Sequence, residues 1–209
     1  APFNVDISDF LDYDGGPNQL CLRVDASLGE GWFYEGAGIY RHVKQVTAHA
    51  VHVPPWGTFV RAAPGPAGAR VSIATEVAND GLIEARVTIR HEILAPDGAV
   101  VARVPDAIVS VAAEQRGDGK AEVVIANPSL WSIETPRLYR LVTTLHVDGA
   151  VVDRYETPFG IRSVRFDAQQ GFFLNERPLK LLGTCNHHDH AGVGTAIPDR
   201  LNAWRVEQL

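Results

Sequence analysis

Residues 139–147 read YRLVTTLHV, and mostly apolar side chains alternate there with more polar ones. In a strand, whose side chains repeat every two residues, one face would carry Tyr139, Leu141, Thr143, Leu145 and Val147. The same repeat occurs at Val71, Ile73, Thr75 and Val77, and again at Val87, Ile89, His91 and Ile93. Several short strands with one face in a core predict a mainly β fold built around a sandwich.

Turn-forming residues separate these segments. Asp-Gly pairs occur at Asp14-Gly15, Asp80-Gly81, Asp97-Gly98, Asp118-Gly119 and Asp148-Gly149. Each pair predicts a tight turn, because the central residues of a type I′ hairpin turn need positive φ. The Pro/Gly/Ala-rich segment 62–68 predicts a surface loop. The pair Pro54-Pro55 predicts the end of a strand, since proline has no N–H to donate to a sheet.

Helical spacing is confined to the last residues of the chain. Asp199 follows Pro198 as a predicted N-cap, and Leu201 and Trp204 then share a face with Gln208 or Leu209. A helix of about 10 residues is marginal in water by itself. We therefore expect this helix to need a partner surface.

Composition excludes several classes of protein. The 209 residues contain 19 Lys plus Arg and 25 Asp plus Glu, a net charge of −6 with no basic run, so nucleic acid is not an expected partner. The apolar stretches fall short of the ~20 residues of a membrane span, and no targeting segment is recognisable. We expect a soluble chain. The sequence does not decide its compartment, because Cys21 and Cys185 are too few to indicate a disulfide framework. The sequence has no Met, even at position 1, which predicts a mature product or an excised piece.

The densest polar cluster is Asn186-His187-His188-Asp189-His190, directly after the apolar run at 179–182. An apolar run, a polar cluster and then a helix is the order expected where a β-strand delivers side chains to the site of an α/β enzyme. Three interpretations stay open: side chains that bind sugar hydroxyls, ligands of a metal, or a structural hydrogen-bonded cluster. A metal is the weakest of these, because neighbouring residues of an extended strand point to opposite faces and no second ligand pair supports them.

Other catalytic patterns are absent from the sequence. It contains no G-x-S-x-G, no phosphate-binding G-x-x-x-x-G-K and no dinucleotide motif after a strand, so no cofactor is predicted. Trp32, Phe33, Tyr34 and Tyr40 are concentrated in one region, which fits either a sugar-stacking platform or buried aromatics.

Several longer segments together resemble glycoside hydrolase family 2, with the closest likeness to its β-galactosidase branch. They are GAGIYRHV at 36–43, VHVPPWGTFV at 51–60, NPSLWSIETPRLYRL at 127–141, FGIRSVRFD at 159–167, GFFLNERPLKLLGTCNHHDHAGVG at 171–194 and PDRL at 198–201. The resemblance implies three pieces. Residues 1–50 would be the last strands of a sugar-binding jelly roll, 51–160 an immunoglobulin-like β-sandwich, and 161–209 the first strand and helix of a truncated (β/α)8 barrel.

The resemblance also implies a function. The parent protein would be a retaining exo-glycosidase acting on terminal β-D-galactosides through two glutamates. Both glutamates would lie beyond Leu209, so no catalytic residue, metal or cofactor is expected within this chain, and the chain alone is predicted to be inactive. Asn186, His187, His188, Asp189 and His190 match the family run that lines the pocket for the nonreducing sugar.

The implied partners are a β-galactoside or related saccharide and the remainder of the barrel, with a homo-oligomer left open. The alternative is a non-catalytic β-sandwich module that binds carbohydrate or protein. Glu176 is predicted to be a turn residue, although Asn175-Glu176 imitates the family's acid/base dipeptide.

Two structural details follow from the same residues. Trp131 is predicted to be largely buried, since large aromatic residues usually anchor the core of a sandwich. Residues 179–185 are predicted to form a strand with unpaired edges, because its neighbours in the implied barrel would lie outside the chain.

Overall fold

The computed structural model describes residues 3–25, 27, 38–187 and 189–209. The chain forms two compact units, one comprising residues 45–184 and the other combining residues of 1–44 with 185–209. The buried residues of the described chain all lie in the 45–184 unit. None of the described helices has the length and apolar character needed to span a membrane.

Eight strands of the 45–184 unit form two facing antiparallel sheets. The first sheet contains β1 (Val51–His52), β2 (Thr58–Gly65), β3 (Gly68–Asn79) and β6 (Gln115–Ile125), with β3 bonded to β6 on one side and to β1 and β2 on the other. The second sheet has the order β5 (Val100–Val111), β4 (Ala85–Leu94), β7 (Tyr139–Val147) and β8 (Ala150–Phe159). The predicted mainly β fold and its sandwich are therefore confirmed.

The core between the sheets follows the two-residue repeat of the sequence. All four predicted positions of β3 and all four of β4 are buried, and so are Tyr139, Leu141, Thr143 and Leu145 of β7. Side chains from both sheets make up each of two core clusters. One cluster includes Val71, Ile93 and Leu141, and the other includes Val77, Ile89 and Leu145.

Two of the Asp-Gly pairs form the predicted hairpin turns. Asp148 and Gly149 have φ of 50° and 82° and connect β7 to β8, as a type I′ turn requires. Gly98, with φ of 90°, lies in the turn between β4 and β5, where its N–H donates to the Ala95 carbonyl at 2.9 Å.

The turn predicted at Asp118-Gly119 is wrong, because both residues lie inside β6. A side chain at Gly119 would overlap Cδ1 of Ile89 in the facing sheet, and one at Gly117 would lie 2.9 Å from Cγ2 of Val111. These glycines therefore let β6 pass close to its neighbours across the core, which is a tertiary requirement that local turn chemistry does not reveal.

The surface loop predicted for residues 62–68 is also wrong for most of its length. Residues 62–65 belong to β2, and β3 begins at Gly68, so Pro66 and Ala67 alone separate the two strands. Pro64 is tolerated because β2 lies at the edge of its sheet, where a missing N–H leaves no ladder bond unmade. The predicted strand end is confirmed, since β1 stops at His52, before the proline pair.

A small three-stranded sheet follows the sandwich in sequence. It contains β9 (Val164–Asp167), β10 (Gly171–Leu174) and β11 (Arg177–Pro178). Asn175 and Glu176, with φ of 50° and 61°, form the turn between β10 and β11, so Glu176 is a turn residue as predicted. Its carboxylate lies 3.3 Å from Nε of Arg165.

Trp131 has the greater part of its surface buried, in keeping with the prediction, although it is not among the fully buried residues. It belongs to the irregular segment between β6 and β7, and its side chain lies against Gly160, where an added Cβ would come within 3.2 Å of it. The guanidinium of Arg162 covers the indole ring at 4.7 Å from the centroid. Trp131 thus packs on the surface of the sandwich rather than in either core cluster.

The other unit has little regular structure. Its described N-terminal residues contain a 3₁₀ helix, Ser8–Phe10, and no strand, so the predicted jelly-roll strands are not formed within the described part of 3–50. Residues 179–185 likewise form no strand. Both differences have the same physical reason. A strand is held by a series of hydrogen bonds to a neighbouring strand, and among the described residues only single bonds at the segment ends are made, such as the Leu179 N–H to the Phe172 carbonyl at 2.9 Å.

The predicted C-terminal helix is confirmed as α1 (Asp199–Glu207). It begins one residue earlier than predicted, since Pro198 is the N-cap and Asp199 is the first helical residue. The Pro198 carbonyl accepts from the amides of Leu201 and Asn202 at 2.9 and 3.2 Å, which starts the hydrogen bonding of the helix.

Two buried hydroxyl groups face each other across β2 and β3. Thr58 and Thr75 are register partners, and neither Oγ1 has a hydrogen-bond partner among the described residues. Replacing Thr75 with valine should raise the free energy of unfolding by about 1 kcal/mol, because it removes an unsatisfied polar group while keeping the branched shape. The matched control is Thr143→Val, which deletes a buried hydroxyl that is bonded to His91. Urea denaturation should show that the control lowers the free energy of unfolding, whereas Thr75→Val raises it. Equal effects of the two substitutions would contradict the prediction.

Candidate functional site

The predicted sugar-binding segment follows the irregular stretch 179–185. Asn186 and His187 are exposed, whereas Asp189 and His190 are half-buried. His188, the remaining predicted residue, lies outside the described residues. The segment therefore presents amide, imidazole and carboxylate groups at an accessible surface, which are groups that bind hydroxyls.

His190 is held by the tight turn that follows it. Its N–H donates to the Gly194 carbonyl at 3.0 Å, and its own carbonyl accepts from the Gly194 N–H at 2.9 Å. Gly192 and Gly194 have φ of 78° and 70°, a conformation that glycine adopts at little cost. The backbone of His190 is thus fixed by local sequence.

The imidazole of His190 has a defined orientation as well. Its Nδ1 lies 3.0 Å from the Ala191 carbonyl oxygen, and its ring packs edge-on against Trp204 of α1 with centroids 6.5 Å apart. A carbonyl oxygen only accepts, so Nδ1 carries the proton in this contact and Nε2 is the acceptor of the neutral ring. Nε2 can then accept a hydrogen bond from a hydroxyl.

Arg205 of α1 binds the backbone of the same segment. Its Nη2 donates to the His187 carbonyl at 2.7 Å, and its Nη1 donates to the Asp189 carbonyl at 3.1 Å. Sequence reasoning does not single out Arg205. Basic residues are common in the last turn of a helix, because cations are favoured there. The position of Arg205 in the sequence therefore does not indicate that it binds the carbonyls of His187 and Asp189.

The start of α1 makes a weaker contact. Nε2 of His42 lies 3.1 Å from the Asp199 carboxylate, and both side chains are largely exposed. Exposed ion pairs contribute little to stability, about 0 to 1 kcal/mol. This contact therefore fixes the start of the helix less firmly than Arg205 fixes the predicted sugar-binding segment, residues 186–190, which is called the polar segment below.

The metal interpretation gains no support from the described residues. They contain no group of three or more His, Cys, Asp or Glu side chains that would hold a metal ion. Cys21 and Cys185 are both exposed free thiols. Of the predicted aromatic platform, Trp32, Phe33 and Tyr34 lie outside the described residues, and Tyr40 is exposed with the Arg41 guanidinium 5.6 Å above its ring.

Two shallow clefts lie on the 45–184 unit. One, of about 280 Å³, is lined by residues that include Arg86, Thr88 and His146 on the outer face of the second sheet. The other, of about 500 Å³, lies beside β10 and includes Phe172 and Leu181. Neither contains a described residue of the predicted sugar-binding segment.

The fold and the polar segment define a two-sheet β-sandwich module followed in sequence by a histidine-rich segment and a short helix. The family model for glycosyl hydrolases family 2 matches residues 56–162, which is just over half of the chain. The chain belongs to this family, as its sequence motifs predict.

Individual relatives agree with this assignment. The chain is 35% identical to β-galactosidase BoGH2A of Bacteroides ovatus over 95% of its length, and 30% identical to a β-glucuronidase of Formosa agariphila over 100%. It spans 23% of the length of each of these proteins. A solved family 2 structure from Bacteroides cellulosilyticus covers 77% of the chain with a TM-score of 0.70 and 31% identity, while the chain covers 21% of that structure.

Proposed function

We propose that these 209 residues are part of a retaining exo-glycosidase that hydrolyses terminal β-D-galactosides. The observation that carries this proposal is the 35% identity to a β-galactosidase across 95% of the chain. In such enzymes one carboxyl group acts as acid/base and another as nucleophile. We propose that both are supplied by parts of the enzyme other than this chain, which spans 23% of the length of each of the two relatives named above.

Within that enzyme, the chain's own contribution is to bind and orient the sugar. We propose that residues 186–190 line the pocket for the nonreducing sugar. The Asn186 amide would donate and accept, and the Asp189 carboxylate and Nε2 of His190 would accept hydrogen bonds from hydroxyls. The sandwich acts as a scaffold, in keeping with its buried core.

A second candidate substrate is a terminal β-D-glucuronide. It is favoured by the β-glucuronidase that is 30% identical across the whole chain. The non-catalytic alternative is a sandwich module that binds carbohydrate or protein without a barrel.

One set of assays separates these possibilities. The longer polypeptide that contains these residues should hydrolyse nitrophenyl β-galactoside faster than nitrophenyl β-glucuronide, with retention of anomeric configuration. The purified 209-residue chain should release no nitrophenol above background from either. A preference for the glucuronide would replace the galactoside proposal with the second candidate. Hydrolysis by the 209-residue chain would refute the proposal that its catalytic carboxylates lie elsewhere.

A further inference from the structure

The guanidinium of Arg205 joins α1 to the polar segment at two points. It reaches the carbonyl oxygens of His187 and Asp189, at 2.7 and 3.1 Å. A guanidinium presents several N–H donors in a planar fork, so it fixes the orientation of both carbonyls at once. Arg205 is itself half-buried, which limits the freedom of its side chain.

This contact matters because no sheet holds the backbone here. Residues 179–187 belong to no strand, so ladder hydrogen bonds do not fix the positions of the side chains that follow. The turn at residues 190–194 anchors the segment on one side. The two bonds from Arg205 anchor it on the other.

We propose that Arg205 is a positioning residue for sugar binding, because it sets the backbone from which the side chains of His187 and Asp189 extend. This inference rests on the proposed function, in which residues 186–190 contact the sugar. The simpler role of a basic residue that caps the helix does not fit the bonds. The carbonyls of Trp204, Arg205 and Val206 accept from the amides of Gln208 and Leu209, whereas the Arg205 side chain donates to the polar segment.

The helix offers a matched control in Arg200. Its Nη1 lies 3.4 Å from both carboxylate oxygens of Glu207, so its bonds stay within α1. Arg200→Ala removes the same charge from the same helix without touching the polar segment. Arg205→Lys keeps the charge of Arg205 but replaces the planar fork with a single ammonium.

The inference is tested first in the 209-residue chain by NMR. Arg205→Ala should shift the backbone amide signals of residues 187–190 and speed their hydrogen exchange, while Arg200→Ala should leave them as in the wild type. Unchanged amide signals in Arg205→Ala would overturn the inference. If Arg205→Ala reduces the helix content, the same comparison of amide signals is made with Arg205→Lys, and unchanged signals in that variant would overturn the inference.

The second test uses the longer enzyme with nitrophenyl β-galactoside. Arg205→Ala should lower kcat/KM by about 10- to 100-fold, mainly through a higher KM, because displaced binding groups lose contact with the sugar. Arg205→Lys should be intermediate, and Arg200→Ala should stay within about twofold of the wild type. Equal losses in the Arg205 and Arg200 variants would overturn the inference in favour of a general effect on the helix. A wild-type enzyme that is inactive on every terminal β-glycoside would refute the proposed function instead, and the NMR comparison would still test the contact itself.

Discussion

Replacing Asn79 with alanine is expected to lower the free energy of unfolding by about 3 kcal/mol. Asn79 ends β3 and is 1% exposed. Its Nδ2 donates to the carbonyls of Ile83, Val111 and Ala112 at 2.8, 2.9 and 3.2 Å, and its Oδ1 accepts from the Gly81 N–H at 3.1 Å. One side chain therefore ties the connection between β3 and β4 to the connection between β5 and β6. Alanine would leave a cavity and remove all four bonds, and urea denaturation at neutral pH measures the loss.

The Asn79→Asp variant separates the hydrogen bonds from the cavity. Aspartate keeps the size and the Oδ1 acceptor but has no N–H, so its side chain would face three carbonyl oxygens. We expect it to be at least as destabilising as alanine, with faster hydrogen exchange at Gly81 and Glu114. If Asn79→Asp were as stable as the wild type, the donated bonds would not be the source of the stability. If Asn79→Ala lost less than about 1 kcal/mol, the side chain would not connect the two loops in solution.

The strands of the sandwich could be predicted because their cause is local. A two-residue apolar repeat places every second side chain on one face, and the facing sheet then buries that face, as in β3, β4 and β7. The turn at Asp148-Gly149 could be predicted for a similar reason, since both residues tolerate positive φ. These are properties of the residues themselves.

The errors arise where a distant part of the molecule sets the structure. Gly119 is required by the approach of Ile89 from the other sheet, about 30 positions away in sequence, so its Asp-Gly pair has no turn to form. Asn79 directly precedes an Asp-Gly pair, and nothing in the local sequence marks it as a residue that the adjoining loops bury. No spacing rule within one segment contains this information.

The composition of residues 186–190 indicates a candidate site, whereas nothing in the sequence indicates Arg205. Three histidines, an aspartate and an asparagine after an apolar run indicate a candidate site without any knowledge of the fold. The role of Arg205 depends on how α1 lies against backbone carbonyls 16 and 18 positions earlier. Backbone carbonyls are present at every residue, so the sequence gives no indication of which ones an arginine will bind.

Acidification should destabilise the sandwich through His91. This residue lies on the core face of β4, is 2% exposed, and has Nδ1 3.0 Å from Oγ1 of Thr143 on β7. Burial disfavours the charged ring and lowers the pKa of His91 from 6.5 to about 4. Below pH 6.5 the His91 ring is therefore protonated in the unfolded chain, whereas in the native state it stays neutral until the pH falls to about 4. The contribution of the neutral His91 ring to the free energy of unfolding is fully present above pH 6.5 and is lost as the pH falls to about 4. This loss is about 3 kcal/mol.

The His91→Asn variant isolates this effect from other titrating groups. Asparagine is neutral at every pH and can still hydrogen-bond to Thr143, so the variant should lack the part of the pH dependence that His91 causes. The free energy of unfolding of wild type and variant should be compared by urea denaturation from about pH 7.5 to about pH 4, and their difference should change by about 3 kcal/mol. Parallel profiles across this range would contradict the prediction. So would a native-state NMR titration of the His91 ring with a midpoint near 6.5, because burial in the core would then not disfavour its charged form.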